Sequence, residues 1–421
     1  MTARLPFFYG WVIVAIGAIG GTLVYGIRNS FSVFFPSILN EFGWQRGSTA
    51  LMLSLNILVY GLMAPVAGSL GDRWKPRRVM TIGIIVLGLA TIACAFAREL
   101  WQFYLLFGII APAGSACCGA PLFAPAVPNW FARRRGLVMG LGQIGGGLSF
   151  AYGIFVEFVI SQVGWRNAYF VLAGILLAVL VPLYLLFFYY RPEEKGLKPY
   201  GISEPATDNS KAVGTGSLRD WTLLDAMKTY QLWLMVLSYF LYWGIGNYLV
   251  LAHQVKFAED AGYSGMLAAT IFGLFGIFMI TGQLCSFLSD RLGREKTATL
   301  ATALSIGALV ALISVRDSTQ PWLLYVYAVG FGLGAGLYLP ALVAGLADVF
   351  HGRHFGAIQG FSITGLGLGG AIGPWLGGYI YDISGSYISA FIFSTVCLAL
   401  GCAVLWIAAP RHAARLQHKS H

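Results

Sequence analysis

One arginine lies inside a long apolar run near the start of the chain. Arg28 is the only charged side chain between Arg4 and Glu41, within the stretch "YGIRNSFSVFF". A guanidinium stays protonated, and a charged side chain at the centre of a bilayer costs roughly 3 kcal/mol on insertion scales. Its planar fork of N–H donors matches a carboxylate. The residue type therefore favours binding of an organic anion, if the side chain faces a polar cavity.

The residues around Arg28 give its helical face a polar character. Small and polar residues share that face by their three- and four-residue spacing: Gly21, Tyr25, Arg28 and Ser32. We predict that Arg28 binds a substrate carboxylate and that Tyr25 and the adjacent Asn29 help to shape the cavity. The alternative is that Arg28, about 30 Å along a helix that starts near Phe8, reaches the outer lipid headgroups.

Other polar residues within apolar runs are weaker candidates. Four of them are predicted to contact the substrate, although each equally suits a hydrogen bond between helices: Tyr242, Asn247, Tyr338 and Gln359. Two are candidate proton carriers, since histidine titrates near neutral pH and a carboxyl group can be shifted towards it: His253 and Glu157. The charges at 256, 259 and 260 are interpreted as a solvated rim.

The composition places these residues in a membrane. The chain is 57% hydrophobic and 10% charged with a mean hydropathy of +0.72, whereas soluble domains carry about 25% charged residues. Twelve apolar runs are long enough to cross a hydrocarbon core of about 30 Å. They lie near 8–36, 48–70, 78–97, 101–125, 136–160, 167–190, 232–257, 266–288, 297–315, 321–348, 355–380 and 387–409.

The net charge of +10 reflects membrane topology. The termini and the loops that lie on their side hold 21 of the 27 Lys and Arg residues, and the opposite loops hold four. This positive-inside asymmetry predicts that both termini are cytoplasmic and argues against a nucleic-acid partner. The six cysteines fall inside apolar runs, which predicts packing roles rather than disulfides.

The chain repeats itself. "DRWKPRR" at Asp72 matches "DRLGREK" at Asp290, and "EFGW" at Glu41 matches "DAGY" at Asp260, at offsets of 218 and 219 residues. This near-constant offset indicates a duplicated six-span unit, as in many secondary transporters. We predict an N-terminal bundle over 1–190, a cytoplasmic linker with a short surface helix over 191–231, and a C-terminal bundle with a cytoplasmic tail over 232–421.

Several motifs carry a family resemblance over nearly the whole chain. "GSLGDRWKPRR" resembles the loop signature of the major facilitator superfamily, in which Gly-x-x-x-Asp-Arg precedes basic residues. "FFYGWVIV", "NWFARRRGLVMG" and "GGAIGPWLGGYIYD" resemble the bacterial branch that contains monocarboxylate transporter-like proteins and oxalate:formate antiporters. The resemblance implies an all-α fold of twelve transmembrane helices in two pseudo-symmetric six-helix bundles.

The resemblance also assigns roles to particular positions. It implies that the loop pairs act as gates on the cytoplasmic side: Asp72 with Arg73, and Asp290 with Arg291. Relatives that carry lactate-like anions have an Asp and an Arg four residues apart in the eighth span, where this chain has Phe278 and Gly282. The antiporters carry a lysine where this chain has Ile363. These departures weaken the case for a dicarboxylate and leave the coupling residue open.

We therefore predict a monomeric secondary transporter of the inner membrane that takes up a small organic monocarboxylate with a proton by alternating access. No Walker loop or catalytic triad signature appears, and Gly365-x-Gly367-x-x-Gly370 lacks the strand context of a dinucleotide site, so neither an enzyme nor a bound cofactor or metal is expected. Two alternatives stay open. "GAIGPWLGG" resembles an antiporter motif and fits an exporter of drugs or metabolites, and a non-transporting receptor or scaffold is the more remote one.

Overall fold

The computed structural model describes residues 8–123, 126–131, 135–200, 221–350 and 355–408. Within these residues twelve helices are long and apolar enough to cross a membrane, which confirms the predicted all-α, twelve-span architecture. They are Gly10–Phe42, Arg46–Gly71, Pro76–Cys94, Leu100–Cys118, Ile144–Val163, Trp165–Phe187, Tyr230–Asp260, Gly265–Leu292, Arg294–Ile313, Trp322–Val349, Phe355–Ser384 and Ile388–Ala408, numbered below as the first to the twelfth span.

The chain separates into two compact units. Unit 1 contains the described residues of Met1–Phe31 and Leu55–Ser210, and unit 2 contains those of Ser32–Ser54 and Lys211–His421. The end of the first span and the start of the second therefore belong with the C-terminal spans. The sequence-based boundaries at 190 and 232 stay a prediction, and 201–220 and 409–421 lie outside the described residues.

The first span is interrupted just after its arginine. One helix runs over Gly10–Asn29 and the next over Phe31–Phe42, and the backbone N–H of Ser30 still donates to the carbonyl of Gly26 at 2.8 Å. A bilayer offers backbone groups no water to bond, so a break of this kind must keep its hydrogen bonds within the protein. Arg28 thus lies in the last turn of the first helix.

Glycines bring neighbouring helices into backbone contact in both units. In unit 1, a Cβ added to Gly145 of the fifth span would lie 2.3 Å from the carbonyl oxygen of Ala18 in the first span. In unit 2, a Cβ on Gly365 would lie 2.3 Å from the carbonyl oxygen of Val236 in the seventh span. Small residues serve this purpose in membrane helices, where close packing replaces the hydrophobic effect.

Three segments within the spans have π-helical hydrogen bonding: Leu106–Ile110, Leu183–Phe187 and Tyr239–Asn247. The third is nine residues long and lies in the middle of the seventh span. π-Helical segments are usually single turns and occur frequently at functional sites. The seventh span therefore has an irregular centre, and this centre carries several of the polar residues singled out in the sequence.

The described ends of the linker are ordered against their own units. Its first residues pack on unit 1, where the backbone N–H of Tyr200 donates to the carbonyl of Trp130 at 2.9 Å. A short helix over Leu223–Met227 precedes the seventh span, and the hydroxyl of Thr222 accepts from the backbone N–H of Asp225 at its start. The predicted surface helix falls in this second stretch.

Candidate functional site

The guanidinium of Arg28 lies between two tyrosines of unit 1. Its central carbon is 5.0 Å from the ring centre of Tyr25 and 5.1 Å from that of Tyr60. The two hydroxyls are hydrogen-bonded to each other at 3.0 Å, and the rings meet edge to face. Tyr25 precedes Arg28 by one turn, whereas Tyr60 is supplied by the second span. All three side chains are half-buried.

The two tyrosine rings orient a positive charge without neutralising it. Contact with aromatic faces stabilises a cation by about 0.5–2 kcal/mol, depending on how far it is removed from water. The rings carry no formal charge, so these two contacts add no counter-charge to the guanidinium. Sequence reasoning singled out Tyr25 and missed Tyr60. One aromatic residue in an apolar span gives no signal of its own, because its partner lies 35 residues away.

Asn29 makes a structural contact in unit 1. Its side chain is buried, and its amide nitrogen donates to the hydroxyl of Ser149 in the fifth span at 2.7 Å. The hydroxyl of Ser149 in turn donates to the carbonyl of Gly146 at 2.6 Å. This hydrogen bond therefore joins the first and fifth spans at the residue that follows Arg28.

Tyr242 and Tyr338 form a stacked pair within unit 2. Their ring centres are 3.4 Å apart with an interplanar angle of 4°, and both side chains are fully buried. The hydroxyl of Tyr242 is hydrogen-bonded to Ser305 at 3.0 Å, and that of Tyr338 to Ser238 at 2.8 Å. Both phenols thus have partners inside the unit.

The remaining predicted contact residues of unit 2 have different surroundings. Asn247, at the end of the π-helical segment, donates its amide nitrogen to the carbonyl of Tyr242 at 2.9 Å and is fully buried. Gln359 is half-buried near the start of the eleventh span. The predicted contact residues therefore fall into two groups. The three from the first span belong to unit 1, and Tyr242, Tyr338, Asn247 and Gln359 belong to unit 2.

The two candidate proton carriers belong to different units. His253 of unit 2 is fully buried, and its Nε2 is hydrogen-bonded to the carbonyl of Pro374 at 2.8 Å, which requires the proton on Nε2. The rings of Phe35 and Tyr387 lie 5.4 and 5.0 Å from its own. Glu157, in the fifth span of unit 1, is half-buried.

Two of the rim charges, Lys256 and Asp260, form an ion-pair cluster with an arginine of the second span. Arg46, at the start of the second span, donates to the carboxylate of Asp260, which also pairs with Lys256 at 3.0 Å. The Arg46 guanidinium lies 3.6 Å from the ring centre of Tyr381. The backbone N–H of Arg46 donates to Asp382 at 2.9 Å. We call Arg46, Lys256, Asp260 and Asp382 the Arg46 cluster, and all of it lies in unit 2.

Comparison with known proteins identifies the family. The family model described as Major Facilitator Superfamily matches residues 17–328 and 284–421, which together cover nearly the whole chain. The chain belongs to the Major Facilitator Superfamily. It is therefore a multi-pass membrane protein of a family of transporters rather than of enzymes, as the sequence motifs predicted. Among the described residues, no group of three His, Cys, Asp or Glu side chains has a spacing that would hold a metal.

Relatives with similar sequences cover more than nine-tenths of this transporter chain. Monocarboxylate transporter 13 of Bos taurus is 27% identical over 94% of this chain and 88% of its own. Monocarboxylate transporter 11 of Homo sapiens is 28% identical over 96% and 83%. The uncharacterized MFS-type transporter YcxA of Bacillus subtilis is 22% identical over 92% and 91%.

Solved structures of the superfamily share the fold. A bacterial homologue of the human lysosomal transporter Spinster superposes with a TM-score of 0.71 and 17% identity over 98% of both chains. A D-xylose–proton symporter gives a TM-score of 0.69 and 16% identity over 95% of this chain and 97% of its own. At such identities the likeness shows the fold alone.

Asp290, from the second of the two loop pairs that the superfamily motif predicts as gates, takes part in an ion-pair network in unit 2. Arg294 donates to Asp290 at 2.6 Å and to Asp348 of the tenth span at 2.8 Å. The predicted gate residue Arg291 is exposed and lies over the ring of Phe287 at 5.7 Å. In the first loop, Arg73 is exposed, and the side chain of Asp72 lies outside the described part of the structure.

The two uncharged positions of the eighth span are packing positions in this member of the superfamily. A Cβ on Gly282 would lie 2.5 Å from the carbonyl oxygen of Leu333 in the tenth span. A Cβ added to Gly332 of the tenth span would lie 2.8 Å from the Cβ of Phe278. The eighth and tenth spans therefore meet at the two positions where the family resemblance led us to look for an Asp and an Arg, and the close approach leaves no room for an arginine.

Proposed function

We propose that this transporter moves a small organic monocarboxylate across the inner membrane by alternating access, in symport with a proton. The observation that carries the proposal is the position of Arg28, a permanent cation inside a span that is held by aromatic faces. Two relatives that cover more than nine-tenths of this chain are named monocarboxylate transporters, which supports the same substrate class. In the proposal the protein is a monomer with both termini in the cytoplasm.

The proposed role of Arg28 is to bind the carboxylate through its guanidinium fork. Two parallel N–H···O bonds to one carboxylate add geometric selectivity to the charge attraction. Tyr25 and Tyr60 orient the fork through their rings, and Asn29 fixes the helix behind it. An anion bound there offsets the cost of enclosing an arginine away from water, so closure around the loaded site becomes favourable.

The proposed residues of unit 2 contribute in two ways. Asn247 and Gln359 contact the cargo through their amides. Tyr242 and Tyr338, whose hydroxyls bond to serines, form the rigid wall behind them. The loop residues act as gates: Asp72, Arg73, Asp290 and Arg291. Arg294 and Asp348 complete the second gate, because Arg294 pairs with both Asp290 and Asp348 and so joins this loop to the tenth span.

Proton coupling is proposed to involve His253 or Glu157. His253 is fixed through Nε2, which leaves Nδ1 as the atom that accepts a proton. One proton carried with one monocarboxylate makes the transport step electroneutral. A proton gradient would then drive accumulation without a contribution from the membrane potential.

Replacement of Arg28 tests the substrate assignment. Arg28→Gln should lower uptake of the best-transported monocarboxylate into proteoliposomes about 10- to 100-fold, the effect expected when a charge-assisted hydrogen bond is lost. Arg28→Lys keeps the charge without the fork and should retain an intermediate rate. Arg98→Gln removes an exposed arginine of unit 1 and serves as the control. Normal uptake by a folded Arg28→Gln protein would reject the assignment.

A further inference from the structure

Two cations of unit 1 lie over the ring of one tyrosine, just beyond the end of the sixth span. The guanidinium carbon of Arg77, from the start of the third span, is 5.7 Å from the ring centre of Tyr189. The ammonium of Lys195, in the first turn of the linker, is 5.0 Å from the same centre. Among the cations and rings that the structure describes, no other ring has two cations over it. The fold thus brings two like charges from distant parts of the chain to one place.

The described side chains supply no counter-charge to this pair. Neither Arg77 nor Lys195 forms an ion pair with a carboxylate of the described residues. The two carboxylates of the same turn, Glu193 and Glu194, are exposed, and Glu194 accepts from the backbone N–H of Arg191 at 3.2 Å. Two positive charges no more than about 11 Å apart, the most that their distances to the shared ring allow, repel each other. An anion bound between them would replace this repulsion with attraction.

The rings under the two cations are held by the packing of unit 1. The rings of Tyr9 and Tyr189 meet edge to face at 5.9 Å, and the ammonium of Lys195 is also 3.7 Å from the ring centre of Tyr9. The hydroxyl of Tyr9 donates to the carbonyl of Phe187 at 2.8 Å, and the indole of Trp130 donates to the carbonyl of Tyr189 at 2.9 Å. Burial, with the neighbouring Tyr189, raises the pKa of Tyr9 to about 12. The Tyr9 phenol therefore stays neutral and adds no negative charge to the pair.

The neighbouring side chains place the two cations at a lipid surface. The last residues of the sixth span, Leu185, Leu186 and Phe187, are all exposed. Trp74, three residues before Arg77, is exposed as well. Exposed apolar side chains at the end of a membrane span face the acyl chains, and tryptophan is enriched at the level of the headgroups. The cations therefore lie where the phosphate groups of lipids are within reach, and the apolar residues beside them suit the acyl chains of the same lipid.

We propose that Arg77 and Lys195 bind the phosphate of an anionic phospholipid, with the rings of Tyr9 and Tyr189 orienting the two cations. We call these four residues the Tyr189 site. The guanidinium and the ammonium supply charged N–H donors to the phosphate oxygens, and basic pockets at the ends of membrane helices bind anionic headgroups. Because Arg77 belongs to the third span and Lys195 to the linker, a bound phosphate fastens the start of the linker to unit 1. The site is independent of the cargo and of Arg28.

Lipid binding to the full-length protein in detergent tests the site. Native mass spectrometry of a titration with phosphatidylglycerol or phosphatidylcholine measures the affinity for the first lipid bound, and wild-type protein should bind phosphatidylglycerol more tightly. Arg77→Gln and Lys195→Gln should each weaken phosphatidylglycerol binding about tenfold, the loss expected for one charge-assisted hydrogen bond, whereas Lys195→Arg should keep it. The matched control is Lys198→Gln, which removes an exposed lysine of the same segment that lies over no described ring and should bind like wild type.

A second measurement, the midpoint of thermal unfolding, separates the sources of the anion. Phosphatidylglycerol should raise the midpoint of wild-type protein, because a ligand of the folded state stabilises it, and this rise should be lost in Arg77→Gln and Lys195→Gln. An equal rise with inorganic phosphate alone would show a site for a soluble anion and overturn the lipid assignment. Equal affinity of wild-type protein for the two lipids would also overturn it. A loss in Lys198→Gln as large as in Lys195→Gln would show diffuse attraction between basic loops and anionic lipid, with no site at Tyr189.

Discussion

The carboxylate of Asp382 accepts a hydrogen bond at 2.9 Å from the backbone N–H of Arg46, 336 residues away in the chain. Its second oxygen accepts from the backbone N–H of Gly47 at 2.7 Å. The first N–H groups of a helix have no partner within the helix, and a carboxylate there also interacts favourably with the helix dipole. A side chain of the eleventh span thus caps the start of the second span, and the three residues of this contact all belong to unit 2.

Replacement of Asp382 should therefore destabilise the protein through the start of the second span. Asp382→Ala should cost about 1 kcal/mol, the usual effect of a lost helix cap, and Asp382→Asn should cost less because an amide oxygen remains as acceptor. The measurement is the midpoint of thermal unfolding in detergent. An unchanged midpoint in Asp382→Ala would show that the cap adds nothing to stability.

Tyr60 should matter through its ring more than through its hydroxyl. Tyr60→Phe keeps the aromatic face over Arg28 and loses only the bond to Tyr25, so the KM for a transported monocarboxylate should rise about threefold or less. Tyr60→Leu loses the face and should raise the KM about tenfold or more, because the guanidinium is no longer oriented. Tyr325→Phe, at an exposed tyrosine, is the control. Equal effects of Phe and Leu at position 60 would contradict the ring-based role.

If His253 carries the coupled proton, the variant His253→Gln should lose activity in one transport assay and keep it in another. His253→Gln keeps a donor for the carbonyl of Pro374 and removes the titratable nitrogen. Accumulation driven by an imposed proton gradient should be lost, whereas exchange of labelled for unlabelled substrate at equal pH should persist. The same split in Glu157→Gln, with normal accumulation by His253→Gln, would assign the proton to Glu157.

Gly282 should tolerate no larger side chain. Its Cβ would lie 2.5 Å from the carbonyl oxygen of Leu333, so Gly282→Ala should lower stability by about 1–3 kcal/mol, and Gly282→Arg should prevent accumulation of folded protein. A Cβ added to Gly307 of the ninth span would have no atom within 4 Å beyond its own helical neighbours, so Gly307→Ala should be neutral or stabilising. Thermal unfolding of the three variants measures the difference. Folded, stable Gly282→Arg protein would show that the two spans separate easily at this point.

Much of the architecture follows from local patterns. Apolar runs of the right length predicted the twelve spans, because a bilayer demands about 20 apolar residues per helix whatever the helices pack against. The loop and span motifs predicted the superfamily, since they are contiguous in the chain. Arg28 could also be identified as a candidate site residue from the sequence, because a charged residue inside an apolar run is recognised without knowledge of its neighbours in the fold.

Pairing between distant helices was decided by the tertiary structure. Helical periodicity tells which residues share a face, but it does not tell which other helix that face meets. Tyr60 beside Arg28, the serines bonded to Tyr242 and Tyr338, and the partner of the rim charges at Arg46 all depend on that choice.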